Sequence, residues 1–511
     1  MVYGSARSYE SMAEMGRTRI RYLFTDGSAV DILTLKQPLR AEQRSSSRLA
    51  FSAGRRDLHG VPWESASRPL RVTIGRDALR DALAECHDLM SLAKSPHISF
   101  EVSEEVGTQA EAAIGRFQMQ HRDGPYWSLM STNSPGKTWG LDVQDGWVDQ
   151  VGGDIAAESG VSPEEGRSLV LEILAHRQLE NDLFVSTTSA LHARRIKSGG
   201  LFNRIGVVSP REAIYLIGAL LRDRGDFRVD QISIIDATIY YASLARGLLP
   251  NTIAAYRHCL APSRRGHLER ASEYLEGIIS RVEQLARACD LLTILSQQEG
   301  IYSAGNSLLD SELYHLQNSM VLISGAMDML CWFVAALERV QPNPRTVDWK
   351  SLAGLKATQP KWLGTLANSD AITIRDGLRR RDLITPGLRA SAEFRDTYQH
   401  RHPLRGGVAE FHDVHGLPEA TATIVDVRMT LDGRAIDRMI GGVIERGEFQ
   451  FILPAQFQRA AFAELVVVVE RTLGLVAWDT AAWWSAALPT GALADTGLDE
   501  LLVNRFQLGA I

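Results

Sequence analysis

Apolar residues recur at alternating spacings of three and four along two long stretches in the second half of the chain. The first stretch runs from Leu268 to Leu292 and the second from Leu309 to Leu337. This spacing places the apolar side chains on one face of an α-helix. Two such helices, joined by a glycine-containing loop, favour an antiparallel pair in a helical bundle. We therefore predict an α-helical bundle over residues 261–485, with residues 306–340 forming one long helix.

The last predicted domain comprises residues 261–511, and weaker patterns predict the rest of its elements. Two prolines interrupt the periodicity after residue 340, and shorter helices are predicted at residues 362–380 and 388–401. Residues 422–429 have the pattern of a strand, and a last helix is predicted at residues 454–475.

Residues 1–150 have the pattern of an α+β domain, for which a sensing or regulatory role is expected. Asp26-Gly27 and Asp123-Gly124 each separate two strand-like segments, as in a β-hairpin. The predicted strands are residues 19–25, 29–35, 70–74, 97–102, 114–120 and 126–130, and the predicted helix is residues 76–93.

Residues 151–260 are predicted to be mostly helical. Ser162-Pro163 and Ser209-Pro210 each begin a cap–proline–glutamate pattern that is typical of helix starts. Residues 182–187 are predicted as one short buried strand. The acidic residue before this strand resembles a segment of PIN-type nucleases, a family that needs several convergent carboxylates to hold metal ions. The sequence does not assign the other carboxylates. The fold class expected for the whole chain is therefore multidomain α+β.

The composition is that of a folded chain with more than one domain, since 511 residues exceed one ordinary core and 45% are apolar. The net charge of −6 means that any RNA contact must come from a local basic patch. The four cysteines include no CxxC pair, so neither a zinc site nor a disulfide framework is expected. No cofactor is predicted. A cytoplasmic location is the default expectation, because the N-terminus lacks the apolar core of a secretory signal.

The most apolar window, residues 319–337, contains Asp328 near its middle. A membrane span tolerates a central charge poorly, so we predict a buried core helix and no membrane association. Asp328 has two interpretations. It occupies an exposed position on that helix, or it pairs with a buried arginine, for which Arg395 is a candidate.

The segment from Phe394 to Pro403 is the most informative in the chain. Arg395 is followed by the polar Asp396 and then by His400, and His402 lies in the same window. This resembles the motif of the HEPN superfamily, in which an arginine, usually followed by a polar residue, is separated from a histidine by four to six intervening residues. HEPN domains are helical bundles built on two long antiparallel helices, with the motif at the end of a later helix. The resemblance implies a metal-independent endoribonuclease with Arg395, Asp396, His400 and His402 as its catalytic residues.

The residue types suit this chemistry. Attack of a ribose 2′-OH on phosphorus needs a base that titrates near neutral pH, which imidazole supplies. It also needs a cation for the charge that builds on the phosphate, which guanidinium supplies. Asp396 is expected to orient Arg395 or His400. No metal ion is required, because the substrate provides the nucleophile.

Helix geometry complicates the pairing of these residues. A five-residue step leaves two side chains about 140° apart on a straight helix, whereas a seven-residue step nearly returns to the same face. Arg395 and His402 therefore share a face, and Arg395 and His400 do not. Pro403 disfavours helical geometry at His402. We predict that the helix ends near His400 and is distorted there, with His400 as the base and His402 as a helper.

The same spacing occurs elsewhere in the chain. The other pairs are Arg80/His87, Arg116/His121 and Arg405/His412. Arg116 lies in a predicted strand, two glycines follow Arg405, and no pair of long helices precedes Arg80. These copies are therefore not preferred as the catalytic motif.

Several hypotheses about function remain open at this stage. The HEPN resemblance implies a bacterial defence or toxin effector that is a homodimer, acts on RNA, and responds to an antitoxin or a phage trigger protein. The alternative is a non-catalytic HEPN-like scaffold that binds RNA or protein. A third hypothesis is a metal-dependent nuclease in residues 151–260. A fourth is a zinc or nickel site formed by His400, His402, His412 and His415.

Overall fold

The structure is a computed structural model, and it describes most of the chain between residues 9 and 480. The described residues are 9–14, 17–23, 29–35, 69–103, 114–121, 126–191, 206–229, 232–234, 237–296 without 262 and 265, 301–380, 384–400, 404, 406–412, 418–446 without 432, and 449–480. The chain divides into two compact units. The first, here called the α/β unit, comprises residues 1–226, 297–309 and 408–422, and the second, the helical unit, comprises residues 227–296, 310–407 and 423–511.

A mixed sheet forms the centre of the α/β unit. Its strands are β4 (Leu70–Ile74), β5 (Ile98–Ser103), β6 (Gly115–His121), β7 (Tyr126–Ser131), β8 (Thr138–Asp142), β9 (Leu183–Val185) and β10 (Gly206–Val208). Their order in the sheet is β10-β9-β4-β5-β6-β7-β8. Strands β10 through β6 are parallel, whereas β7 and β8 are antiparallel additions. The parallel strands are rich in buried apolar residues, as expected for strands covered on both faces.

Helices connect these strands. They are α1 (Arg76–Asp81), α2 (Leu83–Met90), α3 (Asp145–Ser159), α4 (Pro163–Gln178) and α5 (Pro210–Asp223). Both predicted cap–proline–glutamate starts are confirmed, because Ser162 and Ser209 form capping boxes with Glu165 and Glu212. The predicted strand at residues 182–187 is confirmed in β9.

A separate set of antiparallel strands also belongs to this unit. β1 (Tyr9–Glu14) pairs with β2 (Arg17–Leu23), β2 with β3 (Ala29–Leu35), and β3 with β13 (Gly406–His412). The hairpin predicted around Asp26-Gly27 is present as the β2–β3 pair, and that around Asp123-Gly124 as the β6–β7 pair. The turns themselves lie outside the described residues.

The helical unit contains most of the long helices. They are α6 (Ala237–Leu248), α7 (Pro250–Leu260), α8 (Glu269–Ser296), α9 (Ile301–Leu337), α10 (Trp349–Leu352), α11 (Lys361–Gly364), α12 (Ser369–Leu378), α13 (Pro386–His400), α14 (Val427–Thr430) and α15 (Pro454–Leu473). Short antiparallel pairs accompany them: β11 (Phe227–Val229) with β12 (Ile232–Ile234), and β16 (Phe449–Ile452) with both β14 (Pro418–Asp426) and β15 (Val443–Arg446).

The two long helices α8 and α9 run antiparallel where their described residues meet. The rings of Tyr274 and Trp332 stack with centroids 5.8 Å apart. Seven residues further along α8, Arg281 lies against Gly325, which precedes Trp332 on α9. Residue numbers therefore rise along one helix as they fall along the other. The prediction of one long helix over residues 306–340 is confirmed for all but its last three residues.

The apolar part of α9 packs in the core of the helical unit. Residues Ser311–Leu337 are long and apolar enough to cross a membrane, and 61% of their most apolar window is buried within the protein. Met320, Met327 and Val334, which share the predicted apolar face, are buried. This agrees with the prediction of a buried core helix.

Three predicted elements differ from the structure. The helix predicted at residues 76–93 is divided at Ala82, whose backbone is not helical. The helix predicted at residues 362–380 is also divided, because Asn368 caps a new start with hydrogen bonds from the backbone N–H groups of Asp370 and Ala371. The strand predicted at residues 422–429 ends at Asp426, where α14 begins. The sequence-based middle region, residues 151–260, is shared between the two units, with the division after Asp226.

Candidate functional site

Helix α13 carries Arg395, Asp396 and His400 of the four predicted site residues. Its inner face is set by a run of buried residues that includes Leu388, Ser391 and Phe394. The ring of Phe394 meets that of Phe457 on α15 edge to face, with centroids 5.5 Å apart. Packing of this face places Arg395 at the border of the core, where 28% of its side chain is exposed.

Arg395 lies close to two acidic side chains but is bound tightly by neither. Its Nη2 is 3.8 Å from Oδ2 of Asp328 on α9, and its Nη1 is 3.5 Å from Oδ1 of Asp396. Charge-assisted N–H···O contacts are usually about 2.7–2.9 Å. The Nε atom of Arg395 is buried and, within the described part of the chain, has no hydrogen-bond partner. The long contacts of the two Nη atoms therefore leave donor capacity that the protein does not use, whereas the buried Nε is out of reach of a ligand.

Asp328 is the partner that the sequence analysis had named as one of two interpretations. Its Oδ1 accepts a hydrogen bond of 3.1 Å from the backbone N–H of Trp349. Burial raises the pKa of Asp328, while that hydrogen bond and the charge of Arg395 oppose the shift. The interpretation of Asp328 as an exposed position is wrong, because only 19% of its side chain is exposed.

Asp396 faces a cation that the sequence analysis missed. Its Oδ2 is 2.7 Å from Nζ of Lys350, on the short helix α10. This ion pair offsets the negative charge of Asp396, which would otherwise repel a phosphate bound to Arg395. No pattern in the sequence connects Lys350 with Asp396, because 45 residues separate them in the chain.

His400 is the last residue of α13, and its side chain is exposed. The prediction that the helix ends near His400 is confirmed, and the backbone is helical up to this residue. On a regular helix the two side chains point about 140° apart and are separated by about 7.5 Å along the axis. One chain therefore does not place both side chains on one face. His402 lies outside the described residues.

The competing pair Arg80/His87 has a different environment. Arg80 lies on α1 and His87 on α2, so the break at Ala82 divides the pair between two helices. Arg80 donates to Asp81 at 2.6 and 3.0 Å and also forms an ion pair with Glu165. These contacts raise the pKa of Arg80. Its guanidinium is engaged by carboxylates on both sides.

The other two Arg/His pairs with this spacing are Arg116/His121 and Arg405/His412. Arg116 lies on strand β6, as predicted, and His121 ends that strand. Nε2 of His121 is 2.8 Å from Oδ2 of Asp145. Arg405 lies outside the described residues, and His412 ends strand β13. Of the four clustered histidines, His402 and His415 are likewise outside the described part.

Acidic residues lie at opposite ends of the parallel strands in the α/β unit, Asp77 after β4 and Asp182 before β9, and they bear on the hypothesis of a metal-dependent nuclease. Asp77 is buried, and its Oδ2 accepts hydrogen bonds from Thr187 N at 2.8 Å and from Thr188 N at 2.9 Å. Asp182, the acidic residue before β9, accepts from Arg71 N at 2.8 Å. These carboxylates hold backbone segments together. Among the residues that the structure describes, no group of three or more His, Cys, Asp or Glu side chains is arranged to hold a metal ion.

The described residues thus bring Arg395, Asp396 and Asp328 together with Lys350, and they leave His400 exposed at the end of the same helix. Comparisons with protein-family models, with curated proteins and with solved structures found no match to this chain.

Proposed function

We propose that the chain is a metal-independent endoribonuclease of the HEPN type, in which Arg395 stabilises the phosphate and His400 transfers protons. This proposal rests on one observation: the hydrogen-bond donors of the Arg395 guanidinium are not fully used by the protein. Its two carboxylate contacts are long, and its side chain is partly exposed. A cation held in this way is available to an external anion.

The setting of Arg395 supports the same proposal. The motif lies on a helix that follows a pair of long antiparallel helices, which is the arrangement that the HEPN resemblance implies. The buried face of the helix, including Phe394 against Phe457, packs in the core and fixes the backbone position of Arg395 before a ligand arrives. Preorganised charge of this kind stabilises a transition state without further rearrangement.

The proposed reaction needs only groups from the protein and the RNA. An imidazole takes the proton of a ribose 2′-OH, the 2′ oxygen forms a bond to phosphorus, and the bond from phosphorus to the 5′ oxygen breaks. A second imidazole gives a proton to the departing 5′ oxygen. The products are a 2′,3′-cyclic phosphate and a 5′-hydroxyl end. The guanidinium of Arg395 stabilises the additional negative charge on the phosphate oxygens.

The separation of Arg395 and His400 on one helix favours a site shared by two chains. Two copies related by a two-fold axis supply two imidazoles and two guanidiniums to one phosphate, and two-fold symmetry is the commonest for soluble oligomers. We therefore propose a homodimer in which each His400 acts beside the Arg395 of the other copy. A cytoplasmic defence or toxin effector that responds to an antitoxin or a phage protein remains the proposed context.

The alternative is a non-catalytic scaffold that binds RNA or a protein through the same surface. The exposed position of His400 fits either function. Analysis of the RNA ends distinguishes the two.

The direct test is incubation of the purified full chain with total RNA and with a defined oligonucleotide, with and without EDTA. We expect cleavage in both conditions, with 2′,3′-cyclic phosphate and 5′-hydroxyl ends. The same oligonucleotide with a 2′-O-methyl group at each ribose is the matched control and should remain intact. Cleavage that EDTA abolishes, or 5′-phosphate products, would contradict the proposed mechanism, and bound but intact RNA would favour the scaffold.

A further inference from the structure

Helix α10 holds the two carboxylates that lie beside Arg395. The backbone N–H of Trp349 donates to Oδ1 of Asp328 at 3.1 Å, and Nζ of Lys350 lies 2.7 Å from Oδ2 of Asp396. Trp349 is buried in the core of the helical unit, which fixes the position of α10. Both acidic neighbours of Arg395 are therefore bound to consecutive residues of one fixed helix.

Two other arginines in the chain show how an arginine and a following aspartate pair on a helix. In α12, Nε of Arg375 donates to Oδ1 of Asp376 at 2.8 Å. In α1, Arg80 donates to the two carboxylate oxygens of Asp81 at 2.6 and 3.0 Å. These are the usual lengths of charge-assisted hydrogen bonds. An arginine side chain can therefore form a close ion pair with the aspartate that follows it on a helix.

Arg395 and Asp396 occupy the same neighbouring positions but do not form such a close pair. Nη1 of Arg395 is 3.5 Å from Oδ1 of Asp396, whereas Oδ2 of Asp396 is 2.7 Å from Nζ of Lys350. Because charge attraction falls with distance, the stronger pair of Asp396 is the one with Lys350. Asp328 stays 3.8 Å from Arg395, which is near enough to attract the guanidinium but too far to occupy its donors.

We propose that Lys350 is a positioning residue, which keeps Arg395 available to a phosphate by holding Asp396 away from it. This inference rests on the proposed function, because it assigns a role to Lys350 at the same site. Without the charge of Lys350, Asp396 would close on Arg395 as the aspartates do in the two other pairs. Each incoming phosphate would then have to displace this carboxylate, whose charge also repels it.

The reaction of phenylglyoxal with guanidinium groups measures the availability of Arg395 without RNA. The modification of Arg395 in the full chain is followed by peptide mass spectrometry, with Arg375 in the same sample as an internal reference. Lys350→Met should slow the modification of Arg395 by about two- to fivefold, which is the effect of one partly exposed ion pair. Lys350→Arg keeps the charge and should retain the wild-type rate.

The double variant Lys350→Met/Asp396→Asn separates this role from general support of the fold. Asparagine lacks the charge that would close on Arg395, so the modification should return to the wild-type rate although Lys350 is absent. The matched control is Lys356→Met. It also removes a lysine that is paired with an aspartate, since Nζ of Lys356 is 2.8 Å from Oδ2 of Asp348, and it should leave the modification of Arg395 unchanged.

RNA cleavage gives the second readout of the same variants. Cleavage should be slower in Lys350→Met than in the wild type, and faster in the double variant than in Lys350→Met. An equal modification rate in the wild type and Lys350→Met, or a slowing that the double variant does not restore, overturns the inference while cleavage by the wild type stands. Modification rates as expected in a chain that does not cleave RNA support the role of Lys350 and overturn the ribonuclease proposal.

Discussion

Two arginines in this chain begin the same short pattern, yet their surroundings differ. Arg80 in the α/β unit and Arg395 in the helical unit are each followed by an aspartate and then by a histidine. Arg80 is held by Asp81 at 2.6 Å and by Glu165, whereas the nearest carboxylate contact of Arg395 is 3.5 Å. A guanidinium whose donors are already engaged by carboxylates has little left for a phosphate. The comparison teaches that the availability of the cation, and not the pattern alone, distinguishes a site from an ordinary ion-pair network.

The largest expected effect separates the two arginines directly. Arg395→Ala and His400→Ala should each reduce RNA cleavage by about 10²–10⁴-fold, because each removes a group that acts in the transition state. Arg80→Ala and His87→Ala should leave cleavage unchanged. Rates on a defined oligonucleotide, with circular dichroism to show retained folding, measure this. Full activity of the Arg395 and His400 variants together with a loss in His87→Ala would identify the other copy as the catalytic one.

The second effect concerns the sharing of the site between two chains. An Arg395→Ala chain mixed with a His400→Ala chain forms some dimers that retain one guanidinium and one imidazole at the shared site. Such mixtures should recover measurable cleavage, whereas each variant alone should not. Two differently tagged chains allow the mixed dimer to be purified and assayed. Full activity at a concentration where light scattering shows only monomer would refute the shared site.

A smaller effect is expected from Asp328, which positions Arg395. Asp328→Asn keeps an oxygen that can accept the hydrogen bond of Trp349 N but removes the charge that attracts the guanidinium. A partly exposed ion pair contributes about 1 kcal/mol, which corresponds to roughly a fivefold fall in kcat. Binding of the 2′-O-methyl strand should be unchanged. A parallel loss of binding and of kcat would show that Asp328 supports the whole surface instead of Arg395 alone.

Local sequence patterns predicted those helices and helix starts whose stabilising residues lie within the same short segment of the chain. The long helix α9 follows from the spacing of its apolar residues, and the starts at Ser162 and Ser209 follow from their caps. The break at Ala82 could not be predicted, because α1 is held to the distant residues 186–188 through Asp77. In that case a tertiary contact overrides helix propensity.

The contacts of the candidate site could likewise be predicted only where the local sequence indicates them. Asp328 could be connected with Arg395 because a carboxylate in an apolar helix needs a partner. Lys350 could not, because a surface lysine in a short helix has no pattern that indicates its partner 46 residues away. The long distances between the Arg395 guanidinium and its neighbouring carboxylates likewise depend on the folded structure and could not be predicted from sequence. Sequence alone therefore identified the motif but not what distinguishes it from the copy at Arg80.

The smallest expected effect concerns how α13 is held at the end opposite His400. Glu464 on α15 accepts hydrogen bonds from the hydroxyl of Thr385 and, at 3.2 Å, from the N–H of Leu388 in the first turn of α13. Burial raises the pKa of Glu464 despite these hydrogen bonds, and Asp437 raises it further. A carboxyl whose pKa is higher in the folded state contributes stability below its unfolded pKa and loses it as the pH rises through the folded pKa. Glu464→Gln, which mimics the protonated form, should therefore gain stability relative to the wild type between about pH 4 and neutral pH. Its gain should be smaller than the loss of about 1 kcal/mol expected when Glu464→Ala removes the cap. Urea unfolding of the three proteins at several pH values measures both changes. A Gln variant that loses stability relative to the wild type as the pH rises would show that α13 depends on the charge of Glu464, which would make the position of Arg395 sensitive to pH.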